Sequence, residues 1–256
     1  MTDPAPAPEP RPSKTAWLTG ARAGYVALGV SVVALGLAAA PWFTGANVRS
    51  YLLNHPEVLQ EASVALQDKE ARARVETIND LAQANAALLQ PDPRDPAFGP
   101  ADAKVTVIEF FDFRCPGCKA VAHDYRALMA AHPEVRFVFK DWPILDRGED
   151  VTSQYAARAA LAAHQQGKYL AVYDALMTEP ALTPEAVDRI LAEHGVDMTR
   201  AKAAISGIDT TRHIADIHTT AAALQLQGTP TFFVNGRASP SIDPAEIGRL
   251  IEAAKR

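Results

Sequence analysis

Residues 105–113 read VTVIEFFDF and run almost directly into Cys115-Pro116-Gly117-Cys118. A continuous run of β-branched and aromatic residues reads as a strand covered on both faces, so layers must pack above and below it. Glu109 is the one charge inside the run. Pro116 suits the first position of a helix, because its missing N–H would have had no partner there. The strand therefore feeds a helix, expected over Pro116 to Ala131, and the chain is confined to an α/β arrangement. VRFVFK (135–140) predicts a second strand. Residues 149–226 are helical in pattern, with breaks near Gly167, Pro180, Gly195–Val196 and Gly207. TFFV (231–234) is a third strand ending at the turn pair Asn235-Gly236, and a short strand follows near Arg237–Ser239. Asp243 and Pro244 open a last helix to Ala254. The expected domain, residues 101–256, is a mixed four-stranded sheet with helices on both faces and a helical subdomain inserted over 149–226.

The 256-residue chain has two cysteines, both in that motif. Two cysteines three positions apart read as a site rather than a disulfide framework. Positions i and i+3 share one helix face, which brings the sulfurs within bonding reach. Cys115 falls at the helix N-terminus, where free N–H groups and the helix dipole favour thiolate over thiol. Arg114 and Lys119 flank the motif and add positive charge. The thiolate is the nucleophile of disulfide exchange, so Cys115 is the expected attacking sulfur and Cys118 the deeper, resolving one. A zinc or copper site needs further ligands, and only His123 is near, so no metal is expected. Haem attachment requires His after the second cysteine, where Lys119 stands. A structural disulfide across two residues closes too small a loop to stabilise much. No cofactor is expected.

The remaining third of the chain has a different character. Residues 1–22 are rich in Pro and Ala at their start and predict a disordered cytoplasmic tail. From Ala23 to Val48 there is no charge, and YVALGVSVVALGLAAAPWF (25–43) approaches the length that spans a hydrocarbon core of ~30 Å. Residues 23–46 are therefore expected to be a transmembrane anchor. Arg11, Lys14 and Arg22 precede the run and Arg49 follows it, which places the N-terminus inside and the bulk outside. Ala38-Ala39-Ala40 offers the rival reading of a cleaved signal segment. Residues 47–90 predict a helical arm with a thin apolar stripe (Leu59, Ala62, Leu66, Ala73), read either as a spacer or as a self-association helix giving a homo-oligomer. PDPRDPAFGP (91–100) predicts a linker. Net charge is −5 with no run of Lys or Arg, which argues against nucleic acid.

EFFDFRCPGC resembles the active-site strand and motif of the DsbA family, and the helical block resembles that family's insertion into a thioredoxin fold. Gly228-Thr229-Pro230-Thr231-Phe232 looks like its cis-proline loop. The resemblance covers roughly residues 95–256. It implies that Pro230 is cis, with the Thr229 backbone facing Cys115, and that Thr229 and Pro230, with Pro116 and Gly117, form the substrate-binding surface. It also implies that Glu109 lies beneath Cys118 and accepts its proton, with Lys140 moderating the charge. The family's strongest oxidants carry His between the cysteines; here the dipeptide is Pro-Gly. A milder oxidant is expected, near about −180 mV rather than about −120 mV.

The function expected is thiol–disulfide exchange on exported, cysteine-containing proteins, in an enzyme held by a single span in the inner membrane and reset by a membrane redox partner. A redox-linked chaperone and a copper–thiol carrier are the competing classes. A glutathione-transferase relative of the same fold is disfavoured by Cys118.

Overall fold

The computed structural model describes the backbone of residues 21–43 and 46–256, with side-chain surroundings for 25–37 and 48–256. Most of the expected N-terminal tail lies outside the described residues. The chain divides into two compact units, Met1–Asp68 and Lys69–Arg256.

The first unit contains α1 (Ala21–Phe43), α2 (Ala46–Asn54) and the start of α3 (Glu57–Ala84). The described large apolar side chains of α1, from Tyr25 to Leu37, are all more than 60% exposed. Among the described residues, however, no helix is long and apolar enough to cross a membrane. The span expected over 23–46 is thus helical as far as Phe43 without being established as a span. Along the arm, Tyr51, Leu59, Val64 and Leu66 are also exposed.

The second unit is built on a sheet of five strands, not the four expected. They are β1 (Ala97–Phe98), β2 (Thr106–Phe111), β3 (Arg136–Asp141), β4 (Thr231–Val234) and β5 (Arg237–Ala238), in the order β1-β3-β2-β4-β5. The extra strand comes from the segment expected to be a linker: Ala97 and Phe98 pair antiparallel with Val138 and Phe137. β2 and β3 are parallel, joined by α4 (Pro116–Ala131); β4 lies antiparallel to both β2 and β5. The inserted helices are α5 (Thr152–His164), α6 (Tyr169–Thr178), α7 (Pro184–Glu193), α8 (Met198–Ile205) and α9 (Ile208–Ala223). The final helix, α10 (Pro244–Ala254), starts where Asp243 accepts a hydrogen bond from the Ala245 N–H.

Strand alternation divides the core in two. Val107, Phe111, Phe139 and Phe232 face one layer with α4, α6 and α10. Ile108, Phe110, Val138 and Phe233 face the other, with Ile217 and Ala221 of α9 and with Ile78 and Ala82 from the end of α3. A central strand buried on both faces is what the unbroken apolar run of β2 requires.

Candidate active site

Cys115 is the N-cap residue of α4, Pro116 holds its first position, and Cys118 lies in its first turn. The two sulfurs are free thiols; Cys118 is fully buried and Cys115 is 8% exposed. Thr229-Pro230 is a cis peptide bond, and the Cys115 thiol donates to the Thr229 carbonyl oxygen at 3.1 Å. Gly117 permits the close approach of these two loops. A Cβ there would stand 3.3 Å from Pro230 Cδ and 3.7 Å from Cys115 Sγ. Cys115, Cys118, Pro116, Gly117, Thr229 and Pro230 are therefore brought together as expected.

Their electrostatics separate the two thiols. The Cys115 thiol is held down to about 5, foremost by a hydrogen bond from Cys118, which outweighs the opposing effect of burial. The Thr229 side chain and the N–H groups of Cys118 and Gly117 act in the same direction. Burial pushes the Cys118 thiol far up, and its neighbours Cys115 and Glu109 push it further. One sulfur is an anion at neutral pH and its partner holds its proton.

The flanking cations do not add to this as expected. Arg114 pairs with Asp150 at 2.6 Å and lies 3.4 Å from Asp146. Lys119 turns away and donates to the carbonyls of Glu179 at 2.6 Å and Leu176 at 3.3 Å. The thiolate is stabilised by hydrogen bonds at the helix start rather than by neighbouring side-chain charge.

Glu109 is fully buried on the cysteine side of the sheet, level with Phe139 and Phe232. Burial raises its carboxyl well above the usual range, and the nearby Asp141 raises it further. Tyr173 donates to Glu109 Oε2 at 3.5 Å, and Oε1 has no hydrogen-bond partner among the described residues. Lys140 is not its partner. It pairs in register with Phe110, so it belongs to the opposite face, where its Nζ meets the buried Asp95 at 2.5 Å. His213 Nε2 lies 3.1 Å from the other Asp95 oxygen. The expected Glu109–Lys140 pair is thus replaced by a carboxyl with a second acid near it.

Two residues of the site were not anticipated. Asp141 is buried, accepts from the Tyr169 hydroxyl at 2.9 Å, and is also raised by burial. Its signal in sequence was an acid closing an apolar strand. Asp112 is 2% exposed and accepts from Arg114 N–H, Ile144 N–H, Leu145 N–H and Ser153 Oγ at 2.8–3.1 Å. It fastens the entry to the cysteine loop onto the chain beyond β3, while its own carbonyl takes the Cys115 N–H at 3.0 Å. Among the described residues no group of three or more His, Cys, Asp or Glu is arranged to hold a metal.

Fold and site together define the class: a thioredoxin-like protein with a redox-type dithiol at a helix N-terminus. The profile of the family described as Thioredoxin matches residues 91–253, and that of the "Copper resistance protein ScsC N-terminal domain" matches residues 45–73. Over 145 residues the chain is 30% identical to the thiol:disulfide interchange protein DsbA of Pectobacterium carotovorum, covering 54% of this chain and 69% of that protein. It is 38% identical to a thioredoxin-like oxidoreductase from Silicibacter pomeroyi, with a TM-score of 0.61, 67% of this chain covered and 98% of that one. It is also 35% identical over 150 residues, 58% of this chain, to the Na(+)/H(+) antiporter NhaA 3 of Salinispora tropica, but spans only 22% of that protein's length. The chain belongs to the DsbA family of thioredoxin-fold thiol–disulfide oxidoreductases.

Proposed function

We propose that this protein exchanges disulfides with cysteine-containing proteins through Cys115 and Cys118. The observation that carries the reading is the placement of Cys115 at the N-cap of α4 against the cis Thr229-Pro230 loop, with Cys118 buried in the first turn, an arrangement that lowers the first thiol and raises the second. In the oxidising direction a substrate thiolate attacks Cys115 Sγ of the Cys115–Cys118 disulfide. The S–S bond breaks, its electron pair passes to Cys118, and Cys118 takes up a proton. A second substrate thiolate then attacks the substrate sulfur of the mixed disulfide and releases the Cys115 thiolate. The substrate loses two electrons, and the enzyme pair gains them. Glu109, whose carboxyl is held well above the usual carboxylate range by burial, gives Cys118 that proton and accepts it when the reaction reverses. Thr229 and Pro230 hold an extended substrate beside Cys115.

A thiol held at about 5 sits between the values of roughly 3.5 in the strongest oxidant of the class and roughly 7 in thioredoxin, which supports a milder oxidant. The substrates are exported proteins, and a membrane redox partner resets the pair. The charge-free run of α1 beyond Arg22, with its exposed apolar side chains, supports a membrane tether; the exposed apolar residues of the arm support self-association. Oxidation of a reduced dithiol peptide tests the activity. The wild type is expected to form the peptide disulfide stoichiometrically with its own, and Cys115→Ser is expected to form none. Equal oxidation by both proteins refutes the reading. Retention of the full chain in alkali-washed membranes tests the tether, and its release into the wash contradicts it.

A further inference from the structure

We infer that the second half of α3 forms one wall of the substrate groove and that Arg74 selects cysteine-bearing peptide segments carrying an acidic residue near the cysteine. This deepens the exchange reading and rests on it. Beside the cysteine loop lies a cleft of about 300 Å³, walled by Arg74, Val75 and Ile78 on one side and by Pro230, Thr231 and Ile242 on the other. It opens from the reacting sulfur: Pro230 and Ile242 both come within 4 Å of where a Cβ on Gly117 would stand, and Thr229 contacts Cys115. α3 is fixed there by Asn79, whose Oδ1 accepts the Ala238 N–H of β5 at 2.7 Å.

Two features specify the occupant. Ile242 is 44% exposed at the rim, an apolar seat beside the sulfur for an extended chain. Arg74 is the one charged residue of the lining, is exposed, and has no ion-pair partner among the described residues. An unpaired guanidinium facing a cleft without an acid is complementary to a carboxylate brought in by the ligand.

The test compares two dithiol peptides that differ only in having Glu or Lys around the cysteines, with dithiothreitol as an uncharged control. The readout is the second-order rate at which each reduces the Cys115–Cys118 disulfide of the full chain. The Glu peptide is expected to react about three- to fivefold faster than the Lys peptide at low salt, the scale of one exposed ion pair. The preference is expected to vanish in Arg74→Ala, reverse in Arg74→Glu, survive in Arg74→Lys and shrink as salt is raised. Dithiothreitol is expected to react equally with all four proteins. Equal rates for the two peptides, or a preference untouched by Arg74→Glu, overturns the inference and leaves the exchange reading standing. No reduction by any thiol overturns both.

Discussion

Replacing Glu109 with Gln is expected to stabilise the fold while slowing the chemistry. Glu109 is fully buried, and its carboxyl titrates well above its usual range because burial, and then Asp141, disfavour the charge. A folded acid with a raised pKa binds more protons than its unfolded counterpart. Stability therefore falls as pH rises above the ordinary carboxyl range, until the folded group ionises. Each unit of pH in that window costs about 1.4 kcal/mol per such group. Asp141 is raised in the same direction and adds its own slope. Asp92, Glu134 and Asp150 are lowered and act oppositely, but they are common to both proteins and cancel in the comparison. The difference between Glu109→Gln and wild type thus reads Glu109 together with its repulsion of Asp141 and grows by up to about 1.4 kcal/mol per pH unit above pH 5. Urea unfolding of the disulfide form at pH 5, 6, 7 and 8 measures it without interference from cysteine titration. The same variant has no proton to give or accept beneath Cys118, so attack by Cys118 on a mixed disulfide is expected to slow by roughly 100-fold near pH 7. A stability difference flat with pH, or a resolving rate unchanged across pH 5–9, refutes the reasoning.

Two further outcomes follow from the same geometry. Cys118→Ala removes the largest source of thiolate stabilisation at Cys115; its titration, followed by alkylation rate, is expected to rise by roughly one to two pH units. Mixed disulfides with substrate should then accumulate. Lys140→Met breaks a buried ion pair and is expected to cost roughly 3–5 kcal/mol in urea unfolding, yet to leave the Cys115 titration in place because Lys140 lies across the sheet. A shifted titration would return Lys140 to the site.

The parts of the site readable in sequence are those fixed by local rules. A strand that ends before a proline-started helix puts Cys115 at a helix mouth whatever surrounds it, and the spacing of Cys118 follows from the helical turn. Lys140 was misplaced because its face depends on register. β2 and β3 pair as Glu109 with Phe139, and a shift of one residue reverses every side chain. No local pattern reports that register. β1 was missed for a different reason: two residues amid Pro and Gly have no periodicity, and Ala97 and Phe98 become a strand only because β3 offers them an edge. Asp112 and Asp141 gained their roles from chain that arrives much later, Ser153 and Tyr169 respectively.

The exchange chemistry depends on an ionised sulfur at the start of α4. Absorbance of the reduced protein at 240 nm, followed from pH 3 to 10 and corrected with Cys115→Ser, measures it directly. A single thiolate is expected to appear with a midpoint near 5. A midpoint near about 8.5, the value of free cysteine, would contradict it.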